Sequence, residues 1–125
     1  MATPAPQSAP AGLDLTTETS SETGLYRVSY QSELDPVTIN QLHRWKLHVQ
    51  TADGKAVTGA KLTVDGGMPE HNHGMPTTPA VTADLGNGDY QVEGMQFQMP
   101  GRWVVTVTID ADDATDKATF NLFLK

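Results

Sequence analysis

The sequence contains no cysteine. Disulfides, thiolate metal sites and thiol nucleophiles are therefore excluded, and any metal must be held by nitrogen, oxygen or thioether sulfur. Basic residues are scarce as well: eight Lys and Arg stand against fifteen Asp and Glu, for a formal charge of -7. Such a chain cannot neutralise a phosphate backbone, so nucleic acid is not expected as a partner. No apolar run approaches the roughly 20 residues needed to cross a bilayer, and the hydrophobic region of a signal peptide is missing. Enzyme signatures are missing too: there is no Gly-x-Ser-x-Gly elbow, no Gly-rich phosphate loop and no His-Glu-x-x-His helix. Glu70 beside His71 is the one carboxylate placed to serve a metal-bound water, and a small domain offers little material for a dry catalytic cleft. Catalysis is not expected.

What the chain does have is concentrated in Gly66-Gly67-Met68-Pro69-Glu70-His71-Asn72-His73-Gly74-Met75-Pro76. Two of four histidines and two of five methionines fall in this segment. Imidazole suits copper, zinc and nickel, but a thioether competes well only for a soft ion, so Met beside His favours Cu(I), with Cu(II) second. Met68 and Met75 each precede proline, which biases them toward extended backbone. In such a chain His71, His73 and Met75 share one side and can converge on one ion. The plainer reading is a mobile polar loop with incidental histidines. A second arm, Met95-Gln96-Phe97-Gln98-Met99-Pro100-Gly101, sets Met95, Phe97 and Met99 on one strand face. That face either supplies thioethers or covers a core with adaptable methionines; a compromise has Met99 reach the site while Met95 and Phe97 stay buried. His43 shares a face with Trp45 and is either a ligand from below the loop or, the preferred reading, a neutral imidazole settled beside the indole. His48 falls with Arg44 and Lys46 and is expected to be exposed.

Alternation of period two organises the rest. Residues 25–31, 43–50, 60–64, 81–85, 89–92, 103–109 and 118–124 read as strands, with Asp53-Gly54 and Gly86-Asn87-Gly88 as turns. No segment sustains a helical period. About seven short strands in 125 residues predict a single all-β domain, an immunoglobulin-like antiparallel β-sandwich, with a small barrel as the competing architecture. Without a disulfide, Trp45 and Trp103 must anchor its core. Residues 1–23, rich in Ala, Pro, Ser, Thr and Glu, read as a disordered N-terminal tether ahead of a domain at 24–125. Met1 before this tract reads as an initiator standing where a leader was removed, with a cytosolic protein as the alternative. Asp110, Asp112, Asp113 and Asp116 lack the glycine and terminal glutamate of an EF-hand, and a solvated acidic turn is expected there rather than a calcium site.

His43-Arg44-Trp45-Lys46-Leu47, Val64-Asp65-Gly66-Gly67 with the Met/His segment, Gly88-Asp89-Tyr90, and Gly94-Met95 through Trp103 together resemble the YtkA-like domain, related to FixH-like proteins. The resemblance spans roughly residues 35–124. It implies an extracytoplasmic β-sandwich, and FixH-like proteins are associated with copper supply to respiratory oxidases. The transmembrane helix that FixH-like proteins carry has no counterpart in this sequence.

Two functions follow as expectations. The first is a periplasmic or surface-tethered, monomeric Cu(I) carrier or buffer with ligands drawn from His71, His73, Met75, Met68, Met99, Met95 and His43, passing copper to a membrane or periplasmic copper-protein partner. The second is a metal-free interaction module whose sandwich edge or Met-rich loop docks on a membrane or respiratory-complex partner.

Overall fold

Apolar side chains at every second position give each strand one buried face, and two such sheets cover each other. The structure, a computed structural model, describes residues 12–112 and 114–125. Nine strands are found among them: β1 (Glu18–Ser20), β2 (Tyr26–Ser32), β3 (His43–Thr51), β4 (Lys61–Met68), β5 (His73–Gly74), β6 (Ala80–Gly86), β7 (Asp89–Met95), β8 (Gly101–Ala111) and β9 (Ala114–Leu124). One sheet runs β1-β2-β3-β7-β6 and the other β5-β4-β8-β9, with every pairing antiparallel. This is the expected antiparallel β-sandwich. The seven strands legible from alternation are β2, β3, β4, β6, β7, β8 and β9; β1 and β5, of three and two residues, are too short to show a period.

Trp45, Leu47 and Val92 from one sheet meet Trp103, Val105 and Phe120 from the other, all essentially inaccessible to solvent. Each such side chain contributes roughly 1.5–3 kcal/mol on burial. Aromatic packing takes the place of a disulfide at the centre: Tyr30 stacks on Trp45 at 4.0 Å and meets Phe120 edge-on at 5.0 Å. The hairpin between β6 and β7 closes through Asn87 and Gly88 at φ of 55° and 82°, the left-handed conformations that this residue pair supplies at least cost.

Composition predicts a tether through Thr23, but the structure brings part of that segment into the sandwich. Residues 1–11 lie outside the described residues. Glu18–Ser20 ladders onto β2, with Thr19 opposite Val28, and Arg27 reaches Glu18 at 2.8 Å. The sheet thus begins near residue 18, because backbone pairing at a sheet edge needs no hydrophobic pattern. The acidic turn is likewise only partly solvated. Asp113 lies outside the described residues, whereas Asp116 is buried and accepts hydrogen bonds from the Thr23 hydroxyl at 2.7 Å, the Thr23 N–H at 3.0 Å and the Lys117 N–H at 2.9 Å. Burial pushes its pKa up, but the donors of Ser21, Thr23 and Lys117 outweigh burial and hold the carboxyl below the usual carboxylate range.

Register sorts the two ends of the sandwich. Gly101 pairs with Leu124 at one end of the β8–β9 ladder and Ile109 with Asp116 toward the other, roughly 25 Å apart along β8 at a strand's rise per residue. The Met/His segment belongs to the Gly101 end.

Candidate metal site

Met68 closes β4 and precedes Pro69, which has no N–H to continue a ladder. The chain turns there. The N–H groups of His71 and Asn72 donate to the Met68 carbonyl at 3.0 and 2.9 Å, Asn72 takes φ of 52°, and β5 returns with His73 opposite Met68 and Gly74 opposite Gly67. Cross-strand partners share a sheet face, so His73 comes up on the inward side beside Met68. The uniform extended run expected from His71 to Met75 therefore holds only from His73 onward. His71 sits on the exposed turn, its ring 6.0 Å from that of His73 and inclined by 30°. Beside the hairpin an open depression of about 490 Å³, lined in part by Asp65, Gly67, His73 and Thr106, leaves this flank accessible from solvent.

Gly66 makes the seat for Met75. It occupies an inward position of β4 where the pattern of Leu62 and Val64 would place another side chain. A Cβ built there would stand 2.5 Å from the Met75 Cε, so the missing side chain is the space the thioether fills. Met75 packs half-buried against the core as a result.

The connection between β7 and β8 supplies the second arm. Met99, half-buried, brings its Sδ to 3.0 Å from His73 Nε2. His73 Nδ1 lies 3.3 Å from the Gly74 carbonyl. A thioether only accepts, so the shorter contact is a hydrogen bond when Nε2 carries the proton and donates it to Sδ; ligation through Nε2 needs that proton moved to Nδ1, where the Gly74 carbonyl stands ready to accept it. Gln98 Nε2 donates to the same Gly74 carbonyl at 2.9 Å and stitches the two arms together. Its Oε1 is buried without a hydrogen-bond partner among the described residues. Trp103 stands at the base of the site. Its indole N–H donates to the Met99 carbonyl at 2.9 Å, and its ring meets that of His73 at 6.0 Å, near a right angle.

Glu70 is committed elsewhere. Arg102 Nε donates to Glu70 Oε1 at 2.7 Å while Nη1 of the same guanidinium reaches Asn121 at 3.2 Å. The Arg102 hydrogen bond lowers the Glu70 pKa, which favours a paired carboxylate that braces the turn.

Of the seven donors named from sequence, the structure brings His73 and Met99 into contact, sets Met68 beside His73 in register, and places His71 and Met75 on the same hairpin. The other two have different surroundings. Met95 is fully buried, opposite His43 in register, in the apolar core. His43 is 3% exposed and both ring nitrogens are used: Nε2 accepts from the Trp45 indole at 3.1 Å and Nδ1 lies 2.9 Å from the Gln41 carbonyl. An indole N–H only donates, so His43 must carry its proton on Nδ1. Ligation by His43 would require breaking one of these bonds. Met68, at 1% exposure, is lodged deeper than His73 despite the pairing. Among the described residues no three His, Asp or Glu side chains converge, so a metal at this end would draw on thioether sulfur. Sequence reasoning missed Gly66, Gln98 and Trp103 as parts of the site; the Gly in an otherwise alternating strand was the available signal for the first.

Fold and site define a small two-sheet β-sandwich with a Met/His cluster at one end. A family model described as YtkA-like matches residues 26–108, most of the chain, and the protein belongs to that family. No curated protein shows a significant match. The match takes in β2 through most of β8 and so includes both arms of the cluster.

Proposed function

We propose that the protein binds Cu(I) outside the cytoplasm and carries or buffers it, with His73 and Met99 as the inner ligands and His71, Met75 and Met68 recruited from the hairpin. The observation that carries this reading is the approach of His73 Nε2 to Met99 Sδ at 3.0 Å, which joins the two residues across 26 positions of sequence. Borderline imidazole nitrogen together with several soft sulfurs, without thiolate, favours Cu(I) over harder ions; Cu(II) is the weaker guest. A ligand set free of cysteine suits an oxidising compartment, where thiols are lost to disulfides. His71 on an exposed turn suits ligand exchange with a receiving protein, while Glu70, tied to Arg102, is not free to act as a base. The role is binding and delivery, with no catalytic step.

Competition titration with Cu(I) on the wild type and the His71→Ala, His73→Ala double variant tests this. Equal affinities would sink it. Elemental analysis of protein recovered from a copper-supplemented periplasm separates copper binding from a metal-free docking module, which would contain no copper and show no NMR shifts on adding Cu(I).

A further inference from the structure

We infer that Trp103 is the positioning residue that holds Met99 at His73, so that the thioether belongs to the site before any ion arrives. The inference rests on the copper-binding reading for its purpose, although the positioning itself belongs to the metal-free protein. Met99 lies in a connection, residues 96–100, that no strand ladder restrains, and Pro100 after it has no N–H to pair. Left alone, such a segment would let a flexible methionine wander. The start of the connection is anchored by buried Phe97, whose carbonyl accepts the Asn40 N–H at 2.7 Å, and two further hydrogen bonds hold the part that carries Met99. On one side the Gln98 side chain is tied to Gly74 at 2.9 Å; on the other the Met99 carbonyl accepts the Trp103 indole N–H at 2.9 Å.

Trp103 is itself firmly packed. It is fully buried, it pairs with Leu122 in the β8–β9 ladder, and Phe97 packs edge-on against it at 5.0 Å. An indole offers a single donor and no acceptor, so its bond to Met99 has one direction and no competitor within the ring. The same ring borders His73, and one rigid side chain thus touches both arms of the site. The other tryptophan shows the contrast, since Trp45 spends its N–H on His43, away from the cluster.

Trp103→Phe keeps an aromatic ring and removes the N–H. In the metal-free wild type, NMR should show proximity between the His73 ring and the Met99 methyl group, and the variant should lose it; persistence of that contact in a folded variant overturns the positioning role, whatever copper does. For Cu(I), the variant should bind about 10-fold more weakly, the scale on which outer residues tune metal sites. Met99→Leu should lose a comparable or larger factor, and the double variant no more than Met99→Leu alone. Losses that multiply independently would overturn the coupling. Should Trp103→Phe fail to fold, the wild type still decides: Cu(I) should shift the indole N–H resonance of Trp103 and leave that of Trp45 in place. An unmoved Trp103 resonance in copper-loaded protein counts against the inference alone, whereas wild type that binds no Cu(I) counts against the copper reading alone.

Discussion

At the end of the sandwich where β9 begins, Asp116 accepts donors from Thr23 and Lys117, and the Tyr26 hydroxyl donates to the Ala114 carbonyl at 3.2 Å. Roughly 25 Å away along β8, His73 Nε2 faces only a thioether and Gln98 Oε1 has no partner among the described residues. Both ends bury polar atoms, but only one satisfies them with strong partners. Saturated groups hold a fold together, because a buried donor or acceptor left alone costs more than a made bond returns. The other end has only a weak acceptor for His73 and none for Gln98 among the described residues. The same contrast divides the histidines: His43 has both nitrogens engaged, and His73 keeps one directed at sulfur.

The sharpest way to break the comparison is to exchange the two histidines' fates. His73→Ala should weaken Cu(I) binding by roughly 100-fold or more, beyond the usual effect of an outer residue, and leave thermal stability nearly unchanged. His43→Ala should do the reverse. It strands the Trp45 indole donor and should destabilise the fold by roughly 1–3 kcal/mol, with copper affinity preserved in the folded fraction. Paired competition titrations and denaturant melts measure both, and a large copper loss from a stable His43→Ala protein would place His43 in the site.

Asp116 tests the saturated end. Its folded pKa is depressed, so its contribution is fully present above the unfolded carboxylate value near pH ~3.9 and is lost as pH falls from there toward the folded value. Asp116→Asn should cost roughly 1.5–3 kcal/mol near neutral pH, the range for hydrogen bonds to a charged group. The gap between wild type and variant should narrow below pH ~4. Urea denaturation across pH checks this, and a gap that widens in acid would contradict the assignment.

Smaller effects refine the site. Gly66→Ala places a methyl group where Met75 Cε now sits; the flexible thioether should swing away, and Cu(I) affinity should drop about 10-fold if Met75 ligates. Unchanged affinity would remove Met75 from the ligand set. Glu70→Gln releases an exposed pair with Arg102. Surface pairs of this kind add little, so melting temperature and copper affinity should both barely move, and a large copper loss would show that the brace positions His71.

Much of this was readable in advance, and the failures have physical causes. Alternation along Trp103, Val105, Val107 and Ile109 marks a strand with one buried face, as the structure has it. The Asn87-Gly88 pair marks its turn by what its backbone tolerates. β1 escaped notice because three polar residues at a sheet edge carry no period, and Asp116 looked solvated because its partners Ser21 and Thr23 lie more than 90 positions away. His71 looked extended because parity ignores the hydrogen bonds to Met68 that curl the turn.

By itself the sequence determined the all-β class, the absence of thiol chemistry, and the supply of imidazole and thioether donors in two short segments. Those are properties of composition and of local period, which each stretch of chain carries without reference to any other. Tertiary structure alone decided which donors meet. Met95 and Met99 lie on one strand face by parity, yet the first is sealed in the core and the second reaches His73. Parity says which way a side chain points, but what it points at depends on the pairing of β4 with β5 and β8, and on a Trp103 donor that catches the Met99 carbonyl. The β4–β8 pairing and the His73–Met99 approach join segments distant in sequence, and the short-range Trp103 bond serves the site only once that packing has brought the two arms together.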